Sequence, residues 1–411
     1  MRLGFSTSPV REFFRYLGPT LIVSMAYMDP GNYGTDIQGG ASFNYDLIWS
    51  VWLASLMAML LQYLSGKLGI ATGKSLPELI RESLRSRLYV IPYWLAAEAA
   101  AAATDLAEYL GTVLALNILF GIPLLYASIF GALDVLILLV FASRRFRVIE
   151  YLFMLFVSII SIGFLYEVII IRPSIPEILL HTFSPTLGPK SILAVVGIVG
   201  ATVMPHAIYV HSWLTKNRLD ENTIEEKRKL RKLHLNENVV TLTIAGLVNA
   251  AILVAAAAAF YPKYSDISTI NEAYGIMIPL YGPLAAIVFA ITLLSSGLAS
   301  STTGTLAGQA IMDGLLGTRV NIYLRRFVTR FVNVFPTTIA ILLGLDPLSL
   351  LVYSQVILSL MIPLPMIPLI IYTSRRRIMG EFANRKVTTV LALISASIIV
   401  ALNAFLLYSV T

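Results

Sequence analysis

The stretches Met28-Asp-Pro-Gly-Asn32 and Ala201-Thr-Val-Met-Pro-His206 each interrupt an apolar segment with a proline, flanked by polar or sulfur-bearing side chains. A proline inside a helix removes a backbone hydrogen bond and introduces a clash, at a cost of about 3 kcal/mol. Within a bilayer, such a break is tolerated only where it is buried in protein or lines a cavity. Paired breaks in the two halves of a chain are typical of transporter binding sites, and a transporter is the class we expect here.

The composition excludes a soluble enzyme. The 411 residues are 57% hydrophobic and 13% charged, with a mean hydropathy of +0.79, whereas soluble domains carry about 25% charged residues. The absence of cysteine excludes disulfides, zinc–thiolate sites and iron–sulfur clusters. The chain also lacks a Walker-type phosphate loop and the nucleophile-elbow and zincin motifs of hydrolases. We therefore expect an all-α integral membrane protein that is not an enzyme and needs no cofactor.

Hydropathy predicts eleven transmembrane helices, each of roughly 20 mostly apolar residues or more. We expect them at residues 16–39, 46–70, 89–118, 122–142, 147–171, 190–215, 237–260, 277–310, 327–345, 347–372 and 387–409. The first is interrupted by Asp-Pro-Gly-Asn and has no short uninterrupted apolar core. We therefore interpret it as a retained helix rather than a cleavable signal peptide.

The distribution of basic residues predicts the orientation. If the N-terminus is cytoplasmic, 27 of the 30 Lys and Arg residues fall at the inner ends of the spans or in the inner loops, and only Arg172, Lys190 and Lys263 fall outside. This bias supports both the count and a cell-membrane topology with the C-terminus outside. The net charge of +7 and the basic run 227–232 are then explained by a solvated cytoplasmic loop near anionic lipid, not by nucleic-acid binding.

The positions of the two breaks predict an internal repeat. One break falls in span one and the other in span six, so spans one to five and six to ten form two halves of opposite orientation. We expect a single transporter domain over residues 1–411. Repeat one covers about 16–171, repeat two about 190–372, and an extra helix about 387–409.

The atoms at the two breaks predict a metal site. Pro205 has no N–H, so the carbonyl of Ala201 loses its helical partner, and the thioether of Met204 lies on the same side of the turn. In span one, Asp29 and Asn32 add a carboxylate and an amide oxygen at the same three-residue spacing. Hard cations prefer cages of oxygen alone, whereas a thioether favours softer transition ions. The pattern indicates a divalent transition metal, manganese(II) or iron(II).

Each of these residues also has an ordinary explanation. Asp29 can cap the second half-helix, Asn32 can be a turn residue, and Met204 can fill a gap in the core. Gln355, alone in span ten, is explained by interhelical hydrogen bonding, and the small and polar cluster 300–309 by close helix packing. Two observations favour the metal site: an intramembrane carboxylate is a functional candidate by default, and both breaks place a ligand-grade atom beside proline.

Span three carries three acids, Glu98, Asp105 and Glu108. Their spacing places them within an arc of about 80° on one helix face. Three acids on one face of a membrane helix favour a hydrated proton route or paired charges over a single structural partner.

The candidate partners of these acids are histidines and arginines. His206 and His211 follow the second break, and histidine titrates near physiological pH. Arg325 and Arg326 lie at the inner end of span nine. A helix-terminus hydrogen bond for His206, and anchoring at the inner membrane face for the two arginines, stay open as alternatives.

At these residues the chain resembles the natural resistance-associated macrophage protein family of proton-coupled divalent metal transporters. The matching motifs run in order from span one to span ten. They are Asp-Pro-Gly-Asn at 29–32, Thr-Asp-Ile-Gln at 35–38, Thr-Asp-Leu-Ala-Glu at 104–108, Leu-Phe-Gly-Ile-Pro at 119–123, Met-Pro-His at 204–206, Tyr-Val-His-Ser at 209–212, Thr-Gly-Thr-Leu-Ala-Gly-Gln at 303–309 and Ser-Gln-Val at 354–356. Ala207 departs from the asparagine that is common in the family, and magnesium-transporting relatives lack the methionine present here at 204.

The resemblance implies a LeuT-like fold with a 5+5 inverted repeat and broken helices one and six. It implies metal ligation by Asp29, Asn32, the Ala201 carbonyl and Met204, with Gln355 joining in some states. It further implies proton handling by a set of residues around the site. These are Asp29, Glu98, Asp105, Glu108, His206, His211 and either Arg325 or Arg326.

We therefore expect a secondary active importer of manganese(II) or iron(II), coupled to protons by alternating access. Its partners would be divalent metal ions, protons and the lipid bilayer, with no nucleic acid, and its functional unit a monomer. A sodium-coupled transporter of organic solutes such as amino acids, with the same fold, is the alternative. A membrane-embedded hydrolase is a third possibility, which no motif supports.

Overall fold

The computed structural model of the chain describes residues 18–131, 146–216, 218, 223–265, 270–318 and 321–410, and all regular structure in these ranges is helical. The α-helices are α1 (Pro19–Ser24), α2 (Pro30–Phe43), α3 (Ile48–Thr72), α4 (Leu76–Leu84), α5 (Arg87–Phe120), α6 (Leu124–Gly131), α7 (Phe146–Ile171), α8 (Ile175–Phe183), α9 (Ile192–Val203), α10 (Pro205–Thr215), α11 (Ile224–Phe260), α12 (Ile270–Tyr281), α13 (Pro283–Leu316), α14 (Ile322–Leu342), α15 (Pro347–Met361), α16 (Pro363–Ser374), α17 (Arg376–Met379) and α18 (Lys386–Val410). Short 3₁₀ turns occupy Met25–Met28, Asn44–Leu47 and Gly380–Phe382.

The predicted break in span one is confirmed. The helix α1 and the turn Met25–Met28 end at Asp29, whose backbone is extended (φ −82°, ψ 166°). Pro30 then occupies the first position of α2, where a missing N–H costs nothing because the first turn has no helical acceptor. The local chemistry of Asp-Pro therefore starts a new helix inside the span.

The predicted break in span six is also confirmed. Between α9 and α10, Met204 has φ 43° and ψ 108°, a region that favours glycine. Pro205 is the first residue of α10. A bulky residue in this conformation is strained and persists only where the surroundings hold it. Met204 is completely buried.

Eight helical stretches of the described residues are long and apolar enough to cross a bilayer. The difference from the predicted eleven has identifiable sources. The segment Pro19–Met28 is shorter than a full span, and α2 and α3 are joined in one stretch. Beyond α6, residues 132–145 lie outside the described ranges, and α14 carries three arginines in its sequence. The count of eleven stays a prediction.

Two predicted boundaries are wrong. The basic run 227–232 is not a loop, because α11 begins at Ile224, well before the expected start at 237. Thr223 caps this helix by accepting a hydrogen bond from the Glu226 amide. Two glutamates in the first turn stabilise the helix further, because their negative charges lie at the positive end of its dipole.

The expected span 277–310 is not one helix. α12 ends at Tyr281, Gly282 adopts φ 87°, and Pro283 begins α13. Glycine tolerates the positive φ and proline suits a first helical turn, so the Gly-Pro pair separates the two helices. The short helices α4, α8 and α17 in the connections were not predicted.

The broken helices lie at the centre of the molecule. Nearly all residues of Ile192–Thr215 are buried, whereas most of Tyr151–Ile171 and Lys386–Ser409 are not. The helices α3, α5, α11, α13 and α15 pack around α2, α9 and α10. The large exposed side chains of α7 and α18 are mostly leucines, isoleucines and valines, as expected for surfaces that face lipid.

Candidate functional site

The two carboxylate oxygens of Asp29 have different environments. Oδ1 accepts hydrogen bonds from the backbone N–H of Asn32 at 2.9 Å and from its Nδ2 at 2.7 Å. Oδ2 is buried and has no hydrogen-bond partner among the described residues. Asp29 therefore caps α2 with one oxygen and leaves the other available to a ligand.

Asn32 connects the first break to the second. Its Nδ2 also donates to the Ala201 carbonyl at 3.1 Å, the group that Pro205 leaves without a helical donor. Its Oδ1 accepts from Thr202 Oγ1 at 3.2 Å and from Asn249 Nδ2 at 3.1 Å. The structure thus brings the residues of the two breaks together, because the Asn32 side-chain amide is hydrogen-bonded to the Ala201 carbonyl.

Met204 and Gln355 complete the set of predicted ligands. Met204 belongs to the buried apolar cluster that also contains Met28 and Tyr33 of the first break. Gln355 is completely buried. Its Nε2 donates to Ser354 Oγ at 3.0 Å, and its Oε1 has no partner among the described residues.

Two glycines allow α15 to approach both breaks. A Cβ added at Gly31 would lie 2.2 Å from Gln355 Nε2 and 2.9 Å from Asp29 Oδ2. A Cβ at Gly200 would lie 1.9 Å from the Gln355 carbonyl oxygen. Any larger residue at either position would displace Gln355. The two glycines therefore leave room for the side-chain amide of Gln355 beside Asp29 Oδ2.

Side chains of α13 satisfy the unwound backbone of the first break. Ser296 Oγ donates to the carbonyl of Met28, and Thr303 Oγ1 donates to that of Ile22 at 2.8 Å. The cluster 300–309, assigned from the sequence to close packing, therefore also supplies a hydrogen bond to α1.

Two acids of α5 face neighbouring helices, Glu98 towards α14 and Glu108 towards α13. Glu98 Oε2 forms an ion pair with Arg325 Nη2 at 2.6 Å, and Trp94 Nε1 donates to Glu98 Oε1 at 3.1 Å. A Cβ at Gly304 would lie 2.7 Å from Glu108 Oε2, and one at Gly308 would lie 2.3 Å from Arg325 Nη2. Glu108 and Arg325 therefore contact α13 one turn apart.

The other residues predicted to handle protons beside Glu98 and Glu108 are Asp105 and two arginines of α14. Asp105 is buried. Arg325 is the arginine that pairs with an α5 acid, and the side chain of Arg326 lies outside the described residues.

His206 links the second break to α5. Its Nδ1 lies 3.1 Å from Thr104 Oγ1, next to Asp105 in sequence. The Thr104 hydroxyl also donates to the Ala100 carbonyl at 3.2 Å. Because a hydroxyl has one proton, His206 then donates from Nδ1. Its Nε2 is buried without a partner among the described residues and is left as an acceptor.

His211 lies apart from the α5 acids. Its Nδ1 is 2.9 Å from Gln62 Oε1 and its Nε2 is 3.3 Å from Thr20 Oγ1. The ring of His234 crosses it edge-on with centroids 4.9 Å apart. His211 therefore connects the C-terminal half of α10 to the start of α1 and to α3.

Sequence reasoning missed several residues that hold the site. Asn249 and Gln62 are amide side chains within apolar spans, and that is the feature that marks them. Glu237 Oε1 accepts from the backbone N–H groups of Gly18, Thr20 and Leu21, and so caps α1 across the fold. In the sequence Glu237 stands at a span boundary, where an acid is ordinary.

The fold has relatives beyond close sequence similarity. The structure of MhsT in complex with L-phenylalanine matches with a TM-score of 0.63 at 14% identity, covering 96% of this chain and 98% of that chain. This likeness shows the fold alone, and it confirms the predicted LeuT-like architecture with broken helices one and six.

Closer relatives match nearly the whole chain. "Divalent metal cation transporter MntH" from Deinococcus radiodurans is 43% identical over 400 residues, 97% of this chain and 91% of the relative. Its namesake from Bacillus subtilis is 40% identical over 398 residues, covering 97% and 92%. The crystal structure of a mutant Eremococcus coleocola manganese transporter has a TM-score of 0.89 at 30% identity, covering 98% and 88%. The family sequence model described as "Natural resistance-associated macrophage protein-like" matches residues 20–409, and the chain therefore belongs to this family.

Proposed function

We propose that this protein imports divalent transition-metal ions, manganese(II) or iron(II), together with protons, by alternating access. The observation that carries this proposal is the second carboxylate oxygen of Asp29, which is buried at the junction of two broken helices without a partner among the described residues. An intramembrane carboxylate of this kind is a functional site by default. The names of the relatives, divalent metal cation and manganese transporters, support the same substrate class.

The proposed ligands are Asp29, Asn32, the Ala201 carbonyl, Met204 and Gln355. A carboxylate, neutral oxygens and one thioether together favour transition ions over calcium and magnesium. For all of them to bind one ion, the Asn32 amide must present its oxygen, which at present accepts from Thr202 and Asn249. Metal binding is then coupled to movement of α2 relative to α9, because Asn32 hydrogen-bonds across both.

The proposed proton route starts at Asp29, since a ligand carboxylate must be deprotonated before it binds metal. The route continues along one face of α5 through Glu108, Asp105 and Glu98. It ends at Arg325, which pairs with Glu98. His206 is a second proton carrier, supported by its contact with Thr104. His211 and Arg326, also predicted from the sequence, belong to the same proposal.

The proposed topology places the N-terminus in the cytoplasm and the C-terminus outside the cell membrane. The repeat organisation proposed from the sequence, 16–171 and 190–372 with an extra helix at 387–409, is supported by the two breaks, and we propose a monomer as the functional unit. The sodium-coupled organic-solute alternative is not favoured, because the close relatives carry the names of metal transporters.

The test is manganese(II) uptake into proteoliposomes that contain an internal pH dye. We expect metal-driven acidification with the wild type and its loss with Asp29→Ala, because that change removes both a ligand and a proton acceptor. Asp46→Ala is the matched control, since its partly exposed carboxylate pairs with His181 away from the breaks. Metal entry without acidification would contradict the coupling, and sodium-dependent amino-acid uptake would favour the alternative.

A further inference from the structure

A second intramembrane carboxyl group lies apart from both breaks and from the α5 acids. Glu167, near the end of α7, is 2% exposed. Its Oε1 is buried without a hydrogen-bond partner among the described residues. Nothing in the proposed metal site or proton route uses this group. An acid held in this way requires an explanation, because a buried ionised carboxylate without a partner is very costly.

Glu167 lines a small cavity, with room for about one water molecule. Among the described lining residues it is the one titratable side chain. The others are apolar and come from α2, α7, α11, α12 and α13, and they include Ile37, Phe164, Ile252, Phe260, Met277 and Phe289. In the proposed topology, the ends of these helices that are nearer the outside of the cell meet at this cavity. The cavity therefore lies between the metal site and the outside.

Tyr33 lies beside this cavity, on the helix that Asp29 caps and that carries Asn32. Its ring packs edge-on against Phe164, with centroids 5.2 Å apart, and lies 6.3 Å from Phe289. Both phenylalanines line the cavity. Tyr33 follows Asp29 by one turn of α2, and Glu167 follows Phe164 by nearly one turn of α7. Tyr33 thus links the two carboxyl groups, because it is one turn from Asp29 and packs against Phe164, which is nearly one turn from Glu167.

We propose that Glu167 is an outer proton-binding group that takes protons from the external side and supplies them to Asp29. This inference rests on the proposed function. A single carboxyl group in apolar surroundings lacks the several ligands that a divalent ion requires, but it is sufficient to hold a proton. Burying the neutral acid costs far less than burying the carboxylate, so Glu167 releases its proton only when water enters the cavity.

The titratable group that faces Glu167 is Tyr33 of α2, whose ring packs against Phe164. Asp36, on the same helix, is also buried with neither carboxylate oxygen partnered among the described residues. The lining residues of α11, α12 and α13 are apolar. No cation from these helices lines the described cavity, so proton binding is the means by which Glu167 is neutralised.

The test compares Glu167→Gln with the wild type in proteoliposomes, measuring metal-driven acidification over a range of external pH. The substitution keeps size and packing but cannot carry a proton. We expect acidification roughly tenfold slower, because a positioned proton carrier contributes at least that much, and a flattened dependence on external pH. Glu167→Asp retains a carboxyl group and should restore most of the rate. Glu177→Gln, on the exposed face of α8, is the matched control.

Manganese binding to the purified variants, measured by calorimetry, separates this role from a structural one. We expect Glu167→Gln to bind manganese with nearly wild-type affinity. Unchanged acidification with an unchanged external-pH profile would overturn the inference alone. A uniform loss at every pH, or a matching loss of metal affinity, would assign Glu167 a structural role and also overturn it. A wild type that imports metal without acidification would instead overturn the proposed coupling, and the inference with it.

Discussion

Asn32 shows how single residues hold the two breaks together. Its side-chain nitrogen donates to Asp29 and Ala201, and its oxygen accepts from Thr202 and Asn249. Two donors and two acceptor positions are the full capacity of an amide. A buried amide whose donors and acceptors are all satisfied is held in one arrangement. Opening it for a metal ion therefore requires a ligand that replaces several hydrogen bonds at once.

In the proposed site, we expect the thioether of Met204 to determine metal selectivity. We expect Met204→Ala to keep transition-metal transport while its preference for manganese over calcium falls about tenfold, because the remaining ligands are all oxygens. The measurement is competition of calcium and magnesium against radioactive manganese uptake.

The control for this prediction is Met366→Ala, an equally buried methionine of α16. It should lose stability through the cavity it leaves but retain the selectivity of the wild type. Unchanged discrimination in Met204→Ala would refute the role of the sulfur.

Gly31 determines whether Gln355 can reach the site. We expect Gly31→Ala to weaken manganese binding about tenfold, or about 1.4 kcal/mol, because the new Cβ would lie 2.2 Å from Gln355 Nε2. The clash is with the end of a flexible side chain, so thermal stability should change little. Calorimetry and thermal unfolding of the purified variant measure the two effects separately.

Gly275→Ala is the matched control, since a Cβ there meets nothing within 4 Å. It should bind metal as the wild type does. If Gly31→Ala binds equally well, the approach of Gln355 has no part in metal binding.

Among the elements, α4 connects the C-terminal end of α10 to the rest of the fold. It begins with a capping box between Ser75 and Glu78. The Leu76 amide donates to Ser212 Oγ at 2.8 Å, and Lys216 Nζ pairs with Glu78 at 2.9 Å. Both contacts are to α10 or its C-terminal boundary. Any movement of α10 during transport therefore acts on α4.

The Glu78 carboxylate gives this contact a pH dependence. Burial alone would raise the pKa of Glu78, but hydrogen bonds from Lys216 and Ser75 outweigh it and lower the pKa. A group with a lowered pKa in the folded state stabilises the protein above its unfolded pKa, and the contribution is lost as the pH falls through the folded value. We expect Glu78→Gln to melt below the wild type at neutral pH, and the difference to close below about pH 4.

Glu82→Gln is the control in the same helix, because its pair with Lys74 is half exposed and such pairs contribute little. Its melting temperature should follow the wild type at every pH. A constant gap for Glu78→Gln across the pH range would show that the charge of Glu78 contributes no stability.

At the scale of the whole molecule, the charge distribution and the fold support one topology. The helices α7 and α18 present apolar side chains outward, while the basic residues collect near one set of helix ends. Arg228 pairs with Glu381 at 2.7 Å, which joins the start of α11 to the connection before α18. These elements belong to the proposed cytoplasmic side.

A chain without cysteine allows this topology to be measured directly. Ser184→Cys and Ser86→Cys each place one thiol at an exposed position. We expect a membrane-impermeant maleimide to label Ser184→Cys on intact cells and Ser86→Cys only after permeabilisation, because the positive-inside rule puts these connections on opposite sides. The reverse pattern would invert the orientation, and labelling of both on intact cells would contradict the span count between them.

The sequence by itself determined the class of protein, the two breaks and the metal-ligand candidates. Long apolar runs, prolines and a carboxylate in the membrane are local features with direct physical consequences, so Asp29 and Pro205 were identifiable without neighbours. The Ala201 carbonyl was identifiable for the same reason, because the loss of a helical donor follows from proline chemistry alone.

Only the tertiary structure decided which side chains meet. Three side chains contact the broken helices from far along the chain, and no local sequence pattern predicts their contacts. They are Gln62 of α3 and Glu237 and Asn249 of α11. The packing of α15 likewise decided that Gly31 faces Gln355, because a close approach between helices depends on both surfaces. Sequence periodicity establishes which residues share a face of one helix, whereas the partner of that face is set by the packing of the entire bundle.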